Sequence, residues 1–311
     1  MRLEDVEVAP PGLDEVQVHH TAIGLNFIDV YDRNGLYPQK EMPAGLGREA
    51  AGVVASVGKK VRGFLEGDRV AYVHNVPGSY SEARNIPADR LVKIPAGVSD
   101  EQAAVLMLKG GTACYLLRHT YRVKKGDVIV VHAASGGVGQ LLTQWGKALG
   151  AVVIGIVGSD DKAQLAKKNG CKHALVRGKD TIAESVRKIT KGVGAQVVYD
   201  GVGKDTFFES LDCLRRRGLM VSYGNASGPV APFALAELVK RGSLYVTRPT
   251  MYDHTATRAD LEAIARETFA AVKKKWVKVQ INQRYRLADA AQAHRDLESR
   301  KTTGATVILP V

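Results

Sequence analysis

The stretch from Asp127 to Gly150, DVIVVHAASGGVGQLLTQWGKALG, constrains the fold of this chain more than any other. It opens with apolar, mostly β-branched residues at 128–131, which are typical of a strand buried on both faces. A turn of small residues follows at 133–139. Apolar side chains then recur at helical spacing, and Gly150 is a typical helix end. A strand, a turn and a helix in this order predict one βα unit of a parallel sheet.

The turn carries the pattern A-x-G-x-x-G, with Ala134 in the first glycine position. Backbone amides at a helix start attract phosphate, and glycine lets the backbone approach a ligand closely. The pattern therefore predicts a dinucleotide site with contacts from Ala134, Gly136, Gly137 and Val138. Many βα turns are rich in glycine only for packing, so the motif by itself leaves that alternative open.

From Asp127 onward, strand patterns alternate with helix patterns, which predicts a doubly wound parallel sheet. The predicted strands lie at 128–133, 152–158, 173–176, 196–200, 218–223 and 244–247. The predicted helices lie at 139–149, 161–169, 181–190, 205–216 and 233–241. Beyond about residue 252, predicted helices at 260–274 and 288–299 alternate with strands near 280–285 and at 305–309.

Residues 1–110 have a different pattern, with short strands punctuated by glycine and proline, as in a compact barrel. A helix is predicted at Asp100–Leu108, with Ser99 as its N-cap. We therefore predict an α/β protein with two domains, a β-rich domain at 1–110 and a nucleotide-binding domain at 111–252. Residues 253–311 are predicted to return and complete the first domain.

The composition excludes several classes of protein. Hydrophobic residues make up 45% of the chain, but no apolar run is long enough to span a bilayer, so no membrane association is predicted. The first residues lack the apolar core of an export signal. Cys114, Cys171 and Cys213 lie far apart, which argues against a disulfide framework and a zinc ribbon. These features favour the cytoplasm.

The formal net charge of +12 is large enough to attract polyanions. The basic residues are scattered, with short clusters at 167–168, 215–217 and 273–275. Solvated helix faces and helix ends explain such clusters more simply than a nucleic-acid groove does. A phosphate-rich cofactor would also suit a local basic pocket.

The end of the strand predicted at 152–158 indicates which nicotinamide cofactor is bound. An NAD enzyme places a carboxylate there, about 20 residues past the glycines, to accept a hydrogen bond from the ribose 2′-hydroxyl. Here the tip is the neutral pair Gly158-Ser159, and Lys162 follows, which suits a 2′-phosphate. Asp160 and Asp161 are interpreted as N-cap groups that point away from the ribose. NADPH is therefore predicted rather than NADH.

Long motifs are spread over nearly the whole chain: N-F-I-D-V-Y-x-R-x-G-L-Y at 26–37, G-L-G-x-E-A-A-G at 45–52, A-x-S-G-G-V-G at 133–139, V-V-Y-D-x-V-G at 197–203, S-L-D-C-L-R-R-R-G at 210–218 and G-S-L-Y-V-T-R-P-T at 242–250. On these motifs the sequence resembles the zinc-independent, zeta-crystallin-like quinone oxidoreductases of the medium-chain dehydrogenase/reductase superfamily. The resemblance implies a GroES-like β-barrel catalytic domain and a Rossmann coenzyme domain. It also implies a further strand ahead of the L-E-D-V segment, so either that strand is missing or the true start lies upstream of Met1.

The resemblance locates the positions at which zinc enzymes of this superfamily carry a cysteine and a histidine. In this chain they are Asn26 and Arg48, and the four-cysteine structural lobe is absent from the sequence. An arginine cannot serve as a tetrahedral zinc ligand. The eight histidines form no H-x-x-H or H-x-x-x-H pair. The protein is therefore predicted to be free of metal.

The resemblance implies that Asn26, Tyr31, Tyr37 and Arg248 line the cleft near the nicotinamide. Asn26 would offer an amide donor, Arg248 a fixed positive charge for a hydroquinone anion, and the tyrosines rings that stack on a planar acceptor. Asn26, Tyr31 and Arg248 would also contact the cofactor. Each tyrosine has the simpler alternative of a packed side chain in a loop.

Further cofactor contacts are implied by the resemblance at Tyr115, Val202, Tyr223, Gly224, Asn225, Pro249 and, from the last helix, Arg300. Arg177 stands where the family has a tyrosine near the 2′-phosphate, and it either strengthens phosphate binding or is an exposed strand end. Tyr115 is alternatively a residue of the core between the domains, and Arg300 an ordinary surface arginine.

The function implied is NADPH:quinone oxidoreduction, with small quinones as the acceptor. An enone or 2-alkenal reductase is the alternative enzyme, since hydride addition to a conjugated double bond uses the same cofactor geometry. Binding of AU-rich RNA or single-stranded nucleic acid is a secondary alternative, which would be non-specific and salt-dependent because no RNP-like strand is present in the sequence. The resemblance also implies a homodimer or tetramer, with strand 244–247 as a candidate for pairing across a twofold axis.

Overall fold

The computed structural model describes residues 1–310, and its internal contacts divide the chain into two compact units. The first unit comprises Met1–Gly111, Thr255–Lys273 and the chain from Val279 onward, and the second comprises Thr112–His254 and Lys274–Lys278. Residues 274–278 are expected from the sequence to belong to the first domain. This segment instead packs in the second unit, where the backbone of Lys278 exchanges two hydrogen bonds of 2.8 and 3.2 Å with the Gln144 amide.

The strands in chain order are β1 (Glu15–Leu25), β2 (Glu49–Val57), β3 (Arg69–Val73), β4 (Ala83–Pro87), β5 (Leu91–Lys93), β6 (Val128–His132), β7 (Val152–Val157), β8 (His173–Val176), β9 (Ala195–Asp200), β10 (Leu214–Ser222), β11 (Tyr245–Thr247), β12 (Ile281–Arg286) and β13 (Ala305–Leu309). The α-helices are α1 (Phe27–Asn34), α2 (Asp100–Leu106), α3 (Lys109–Tyr115), α4 (Gly137–Ala148), α5 (Asp160–Lys168), α6 (Ile182–Ile189), α7 (Phe207–Asp212), α8 (Ala236–Lys240), α9 (Met251–His254), α10 (Arg258–Lys273) and α11 (Ala290–Glu298). Among the helices described, none combines the length and the apolar composition that crossing a bilayer requires.

The first unit is organised around the long strand β1, which pairs antiparallel with β13, β2 and β4. The sheet continues through β2 to β3 and β5 on one side and through β13 to β12 on the other. Gly52 permits the close approach of β2 to β1, because a Cβ there would lie 2.1 Å from the carbonyl oxygen of His19. The enclosed core is apolar and includes Val16, Val18, Ile23, Val54 and Tyr72.

The second unit is built on a parallel sheet with the strand order β11-β10-β9-β6-β7-β8. The first strand in sequence, β6, lies inside the sheet. The chain moves from β6 through β7 to β8 in one direction, and then returns to β9 and moves in the other. The carboxyl ends of β6 and β9 therefore form the point at which the strand order reverses, where open α/β sheets bind their ligands. The predicted doubly wound sheet is confirmed.

Two local predictions were wrong. The helix predicted at 205–216 ends at Asp212, because Leu214 already pairs with Ala195 at the start of β10, ahead of an irregularity in which Arg217 has a φ of +53°. Tyr31, expected in a loop, lies in helix α1. By contrast, Ser99 caps α2 as predicted, accepting the amide hydrogen of Gln102 at 3.2 Å.

Candidate functional site

The fingerprint turn connects β6 to α4 in the second unit. The conformational strain falls on Ala133, which has a φ of +48°, and Ala134 next to it donates its backbone N–H to Ile156 on the neighbouring strand at 3.1 Å. An alanine is therefore accommodated in the first glycine position. The third glycine is required for packing, because a Cβ on Gly139 would lie 2.1 Å from the carbonyl oxygen of Ala133.

The amides at the start of α4 are arranged for an anion. Gly136 is the N-cap, and its own N–H closes the turn by donating to Ala133 at 2.8 Å. In an α-helix the first amides point out of the helix end, which here are those of Gly137 and Val138. The backbone of this turn fits a diphosphate, with Gly136 shaping the loop and the next two residues presenting N–H groups. The predicted contacts of these residues stay predictions.

The turn between β7 and α5 differs from the prediction in the residue that caps the helix. Ser159, not Asp160 or Asp161, is the N-cap of α5, because its backbone is extended (φ −159°, ψ 163°) and its hydroxyl accepts the Lys162 amide hydrogen at 3.4 Å. The two aspartates occupy the first helical turn instead. The neutral residues Gly158 and Ser159 thus form the turn directly after β7, where an NAD enzyme would place its acid.

Lys179 is a charged residue at this edge that the sequence analysis missed. It lies in the loop after β8, and its ammonium group is paired with the carboxylate of Asp160 at the start of α5. The hydrogen bond to Asp160 raises the pKa of Lys179. β7 and β8 are parallel neighbours, so their following loops meet at one edge of the sheet. The negative charge of Asp160 is therefore partly compensated where a 2′-phosphate is predicted to bind.

Arg177 is exposed just beyond β8, which agrees with the alternative of a strand end. Its guanidinium donates to the carbonyl oxygen of Asp205, and its Nε lies 3.8 Å from a carboxylate oxygen of Glu209. These contacts direct the side chain toward the segment that leads into α7. These contacts give no support to a role of Arg177 at the 2′-phosphate, which stays a prediction.

The loops after β9 and β10 lie close together. A Cβ on Gly224 would lie 2.5 Å from the carbonyl oxygen of Gly201, so the two backbones are in near contact. The Tyr223 amide donates to the carbonyl oxygen of Asp200 at 2.8 Å. The Val202 amide donates to the Asp200 carboxylate at 2.7 Å. The structure therefore brings Val202 and the predicted Tyr223–Gly224–Asn225 contact segment to one edge of the sheet.

Two further predicted residues of the second unit have defined surroundings. Arg248 is exposed, directly before Pro249, and it donates a guanidinium hydrogen to the carbonyl oxygen of Ser222 at 3.0 Å. Tyr115 is buried and stacks on His254, with ring centroids 4.3 Å apart and planes 7° from parallel. Burial raises the pKa of Tyr115. One face of this ring is covered by His254, as expected for the packed alternative.

In the first unit, Asn26 is held on both its backbone and its side chain. Its backbone N–H donates to the Asp29 carboxylate at 2.8 Å, and its side-chain nitrogen donates to Glu49 at 2.9 Å. Glu49 also accepts from the Lys109 ammonium at 3.1 Å. Both Glu49 and Lys109 are buried. Asn26 is predicted to offer an amide donor, but its side-chain nitrogen already donates to Glu49 and, at 3.5 Å, to the carbonyl oxygen of Gly24.

Tyr31 and Tyr37 are brought together by the first turn of chain after α1. Gly35 ends the helix with a φ of +81°, and the Tyr37 amide then donates to the Tyr31 carbonyl oxygen at 3.1 Å. Their rings meet edge to face with centroids 5.3 Å apart. Tyr31 is buried and Tyr37 is half-buried, so Tyr37 presents more of its ring to a ligand.

Arg48, at the second position where zinc enzymes carry a ligand, lies in a buried ion pair. Its Nε and Nη2 atoms each lie 2.6 Å from a different oxygen of Asp32. This bidentate geometry uses both oxygens of Asp32, one of which also accepts from the Gln39 side-chain amide at 3.0 Å. Over residues 1–310, no group of three or more His, Cys, Asp or Glu side chains is arranged to hold a metal ion.

Asp29 is the most perturbed acid of the first unit. One oxygen accepts from the Asn26 amide and from the Tyr80 hydroxyl at 3.1 Å, while the other is buried without a hydrogen-bond partner among the described residues. Burial raises the pKa of Asp29 to about 7. Tyr80 in turn lies 3.0 Å from His294, whose pKa is lowered to about 4 by burial and by Arg33. Arg300 follows α11, beyond the helix end, and is exposed.

The comparisons with known proteins cover both units. Residues 12–96 match the alcohol dehydrogenase GroES-like domain, and residues 137–266 match the zinc-binding dehydrogenase family. The quinone oxidoreductase of Pseudomonas aeruginosa is 49% identical over 310 residues, covering 100% of this chain and 95% of that relative. The 2-haloacrylate reductase of a Burkholderia species is 43% identical and covers 99% and 94%.

Among solved structures, Escherichia coli quinone oxidoreductase complexed with NADPH superposes with a TM-score of 0.97 at 47% identity. The match covers 99% of this chain and 95% of that chain. Identity near one half over the full length, together with both domain families, is sufficient to assign membership. The chain belongs to the quinone oxidoreductases of the medium-chain dehydrogenase/reductase superfamily.

Proposed function

We propose that the chain is an NADPH:quinone oxidoreductase that reduces small quinones without a metal ion. The observation that carries this proposal is the full-length match to a quinone oxidoreductase whose structure contains NADPH. The neutral tip of Gly158 and Ser159 supports the choice of cofactor, because it offers no acid to repel a 2′-phosphate.

The cofactor is held by the second unit in this proposal. The amides of Gly137 and Val138 bind the diphosphate, Ser159 and Lys162 bind the 2′-phosphate, and Lys179 offsets the charge of Asp160. Ala134, Val202 and the Tyr223–Asn225 segment supply the walls at the strand ends. When bound, NADPH supplies a hydride to the acceptor.

The acceptor residues are proposed to be Asn26, Tyr31, Tyr37 and Arg248. A quinone that receives a hydride gains two electrons and one hydrogen and becomes a hydroquinone anion, which then takes one proton from water. Arg248 stabilises that anion by its fixed charge, and Tyr31 and Tyr37 stack on the planar acceptor. Aromatic stabilisation of the product favours the transfer, so positioning suffices without a dedicated acid.

We also propose a cytoplasmic homodimer or tetramer. The cytoplasm is favoured because Cys114, Cys171 and Cys213 are buried and form no disulfide among the described residues. Burial raises the pKa of Cys171 to about 11 and that of Cys213 to about 12, so both stay protonated and unreactive. β11 is the proposed pairing edge. Nucleic-acid binding stays a secondary, salt-dependent alternative based on the net charge of +12.

A second enzymatic function has a specific observation in its favour, which is the 43% identity to a 2-haloacrylate reductase. That name describes reduction of an activated double bond. The same cofactor geometry would deliver hydride to a carbon conjugated with a carbonyl group, so enones and 2-alkenals are the alternative substrate class.

The experiment is steady-state kinetics of the purified chain with NADPH or NADH and with 1,4-benzoquinone, an enone or a 2-alkenal as acceptor. We expect the highest kcat/KM for NADPH with the quinone. A lower KM for NADH than for NADPH contradicts the cofactor assignment. A kcat/KM for the enone or alkenal above that for benzoquinone replaces the first proposal with the second.

A further inference from the structure

Four buried polar side chains, linked by hydrogen bonds, join the two strands at which the sheet order reverses. His132 is the last residue of β6 and Asp200 is the last residue of β9. Thr206 is the N-cap of α7, and Ser210 lies within that helix. All four residues are at most 2% exposed. So many polar groups buried together require mutual hydrogen bonds, and each finds a partner here.

Asp200 is saturated by donors. Its Oδ1 accepts from the backbone amides of Val202 at 2.7 Å and Gly203 at 3.2 Å. Its Oδ2 accepts from the hydroxyls of Thr206 at 2.7 Å and Ser210 at 2.9 Å. A carboxylate accepts about four hydrogen bonds. Asp200 Oδ1 thus fixes the turn after β9, and Asp200 Oδ2 fixes the start of α7.

The direction of the remaining bond follows from proton counting. Ser210 has one hydroxyl hydrogen, which it donates to the carboxylate of Asp200. The 2.8 Å contact between Ser210 Oγ and His132 Nε2 therefore has the imidazole N–H as its donor. Burial lowers the pKa of His132, which favours the neutral ring. The contact with Ser210 then assigns its single ring hydrogen to Nε2. Ser210 is thus not activated as a nucleophile, because it donates to the acid and not to the histidine.

These hydrogen-bonded side chains lie at the edge of the sheet where such folds bind dinucleotides. His132 directly precedes the fingerprint turn, while Asp200 directly precedes the turn of Val202 and Gly203. β6 and β9 are parallel neighbours, so the two turns lie at the same edge. The hydrogen bonds from His132 through Ser210 to Asp200 therefore connect the two backbone segments that lie at this edge.

We propose that His132, Ser210 and Asp200 are positioning residues that hold the fingerprint turn and the Val202 turn in the arrangement that binds NADPH. This inference rests on the proposed function, since it concerns the same cofactor site. Loss of the central hydroxyl releases His132 from α7, so the fingerprint turn can shift against the Val202 turn although β6 and β9 stay paired and the Val202 and Gly203 amides stay bound to Asp200. NADPH, which lies along both turns, is then bound less tightly.

The test compares Ser210→Ala with a matched control, Thr143→Val, which removes a buried hydroxyl of the same unit that contacts Cys171 Sγ at 3.6 Å. The dissociation constants of NADPH and of adenosine 2′,5′-bisphosphate and the melting temperature are measured for each. We expect Ser210→Ala to raise the Kd of NADPH about tenfold. The bisphosphate, which occupies only the adenosine end, changes by less than about twofold. Thr143→Val lowers the melting temperature but leaves both constants unchanged.

A second pair of variants keeps the test decisive if Ser210→Ala folds poorly. In His132→Gln the side-chain amide can still donate to Ser210, so NADPH binding is retained, whereas His132→Leu weakens it about tenfold. Equal NADPH affinity in the glutamine and leucine variants, or an unchanged Kd in Ser210→Ala with a lowered melting temperature, overturns the inference. Wild-type chain that fails to bind NADPH overturns the proposed function, and this inference with it.

Discussion

The two units differ in how their predicted site residues are held. In the second unit, backbone amides, glycines and one neutral turn shape the proposed cofactor edge, and the residues of the fingerprint lie within seven positions of one another. In the first unit, side chains brought from distant segments form a buried charge cluster, defined here as Asn26, Asp29, Glu49 and Lys109, which are linked by hydrogen bonds. A backbone site tolerates many side chains around it. A charge cluster depends on every member, because each unpaired buried charge is costly.

The largest effect is expected from removing one charge of the cluster. Lys109→Met leaves Glu49 buried without its cation, with only the N–H groups of Asn26 and Leu108 as donors. We expect the free energy of unfolding to fall by about 3–5 kcal/mol. The measurement is urea denaturation followed by fluorescence.

The control is the double variant Glu49→Gln/Lys109→Met, which removes both charges and keeps an acceptor for Asn26. It should recover most of the lost stability. Gly139→Ala serves as the comparison from the cofactor edge, where an added Cβ close to Ala133 should cost about 1–3 kcal/mol. If Gly139→Ala destabilises the protein more than Lys109→Met does, the contrast between the two units is wrong.

The second prediction concerns the pH dependence of the charge cluster. The pKa of Asp29 is raised from 3.8 to about 7, so the folded state binds its proton more tightly than the unfolded state does. Its contribution is fully present below about pH 4 and is lost as the pH rises to about 7. In the wild type, the free energy of unfolding should therefore decrease by on the order of 4 kcal/mol over this range because of Asp29. In Asp29→Asn this decrease should be absent.

The comparison with wild type is needed because four histidines act in the opposite direction. Burial lowers the pKa of His20, His74, His132 and His294, that of His20 and His294 to about 4, so their contribution is present above about pH 6.5 and is lost as the pH falls. Asp29 faces Tyr80, Lys109, Glu49 and the Asn26 amide. Parallel stability curves for wild type and Asp29→Asn between pH 4 and 7 would contradict the raised pKa.

The same contrast explains what the sequence could predict. The fingerprint was predicted because its constraints are local, since Gly139 and the Ala133 carbonyl that excludes a side chain are six positions apart. The pairing of Glu49 with Lys109 joins residues 60 positions apart, and no periodicity indicates it. Helix α1 was missed although Asn26 and Gly35 are typical helix ends, because the family motif over these residues was taken as loop.

For some residues the sequence indicated a role only in part. Asp200 stands inside the motif V-V-Y-D-x-V-G, but its four donors lie on the following turn and helix and become apparent only in three dimensions. Lys179 could have been suspected once β7 and β8 were predicted as neighbours, because the loops after parallel neighbours meet. Asp160 was assigned a capping role that Ser159 fills, since the extended residue before a helix, not the first helical residue, is the N-cap.

The third prediction compares the contributions of the Arg248 charge and the Tyr37 hydroxyl to kcat in the proposed reaction. Arg248→Ala removes the cation that would stabilise the hydroquinone anion, so we expect kcat with benzoquinone to fall about tenfold to a hundredfold. Tyr37→Phe keeps the ring that stacks near Tyr31 and should stay within about threefold of wild type. Steady-state kinetics at saturating NADPH gives both values. The reverse order of effects would transfer the main role to the Tyr37 hydroxyl.

The smallest effect is expected at the exposed pair of Lys179 and Asp160. Lys179→Met removes the cation that compensates Asp160, so the preference for NADPH over NADH in kcat/KM should fall about threefold, and less at high salt, because surface pairs are screened. The double variant Lys179→Met/Asp160→Asn removes the acid as well and should restore the preference. Lys172→Met, another exposed lysine of the same unit, is the control and should change nothing. If the double variant remains as impaired as the single one, Lys179 binds the phosphate directly instead of offsetting Asp160, and the cofactor edge then depends on a side-chain charge as the first unit does.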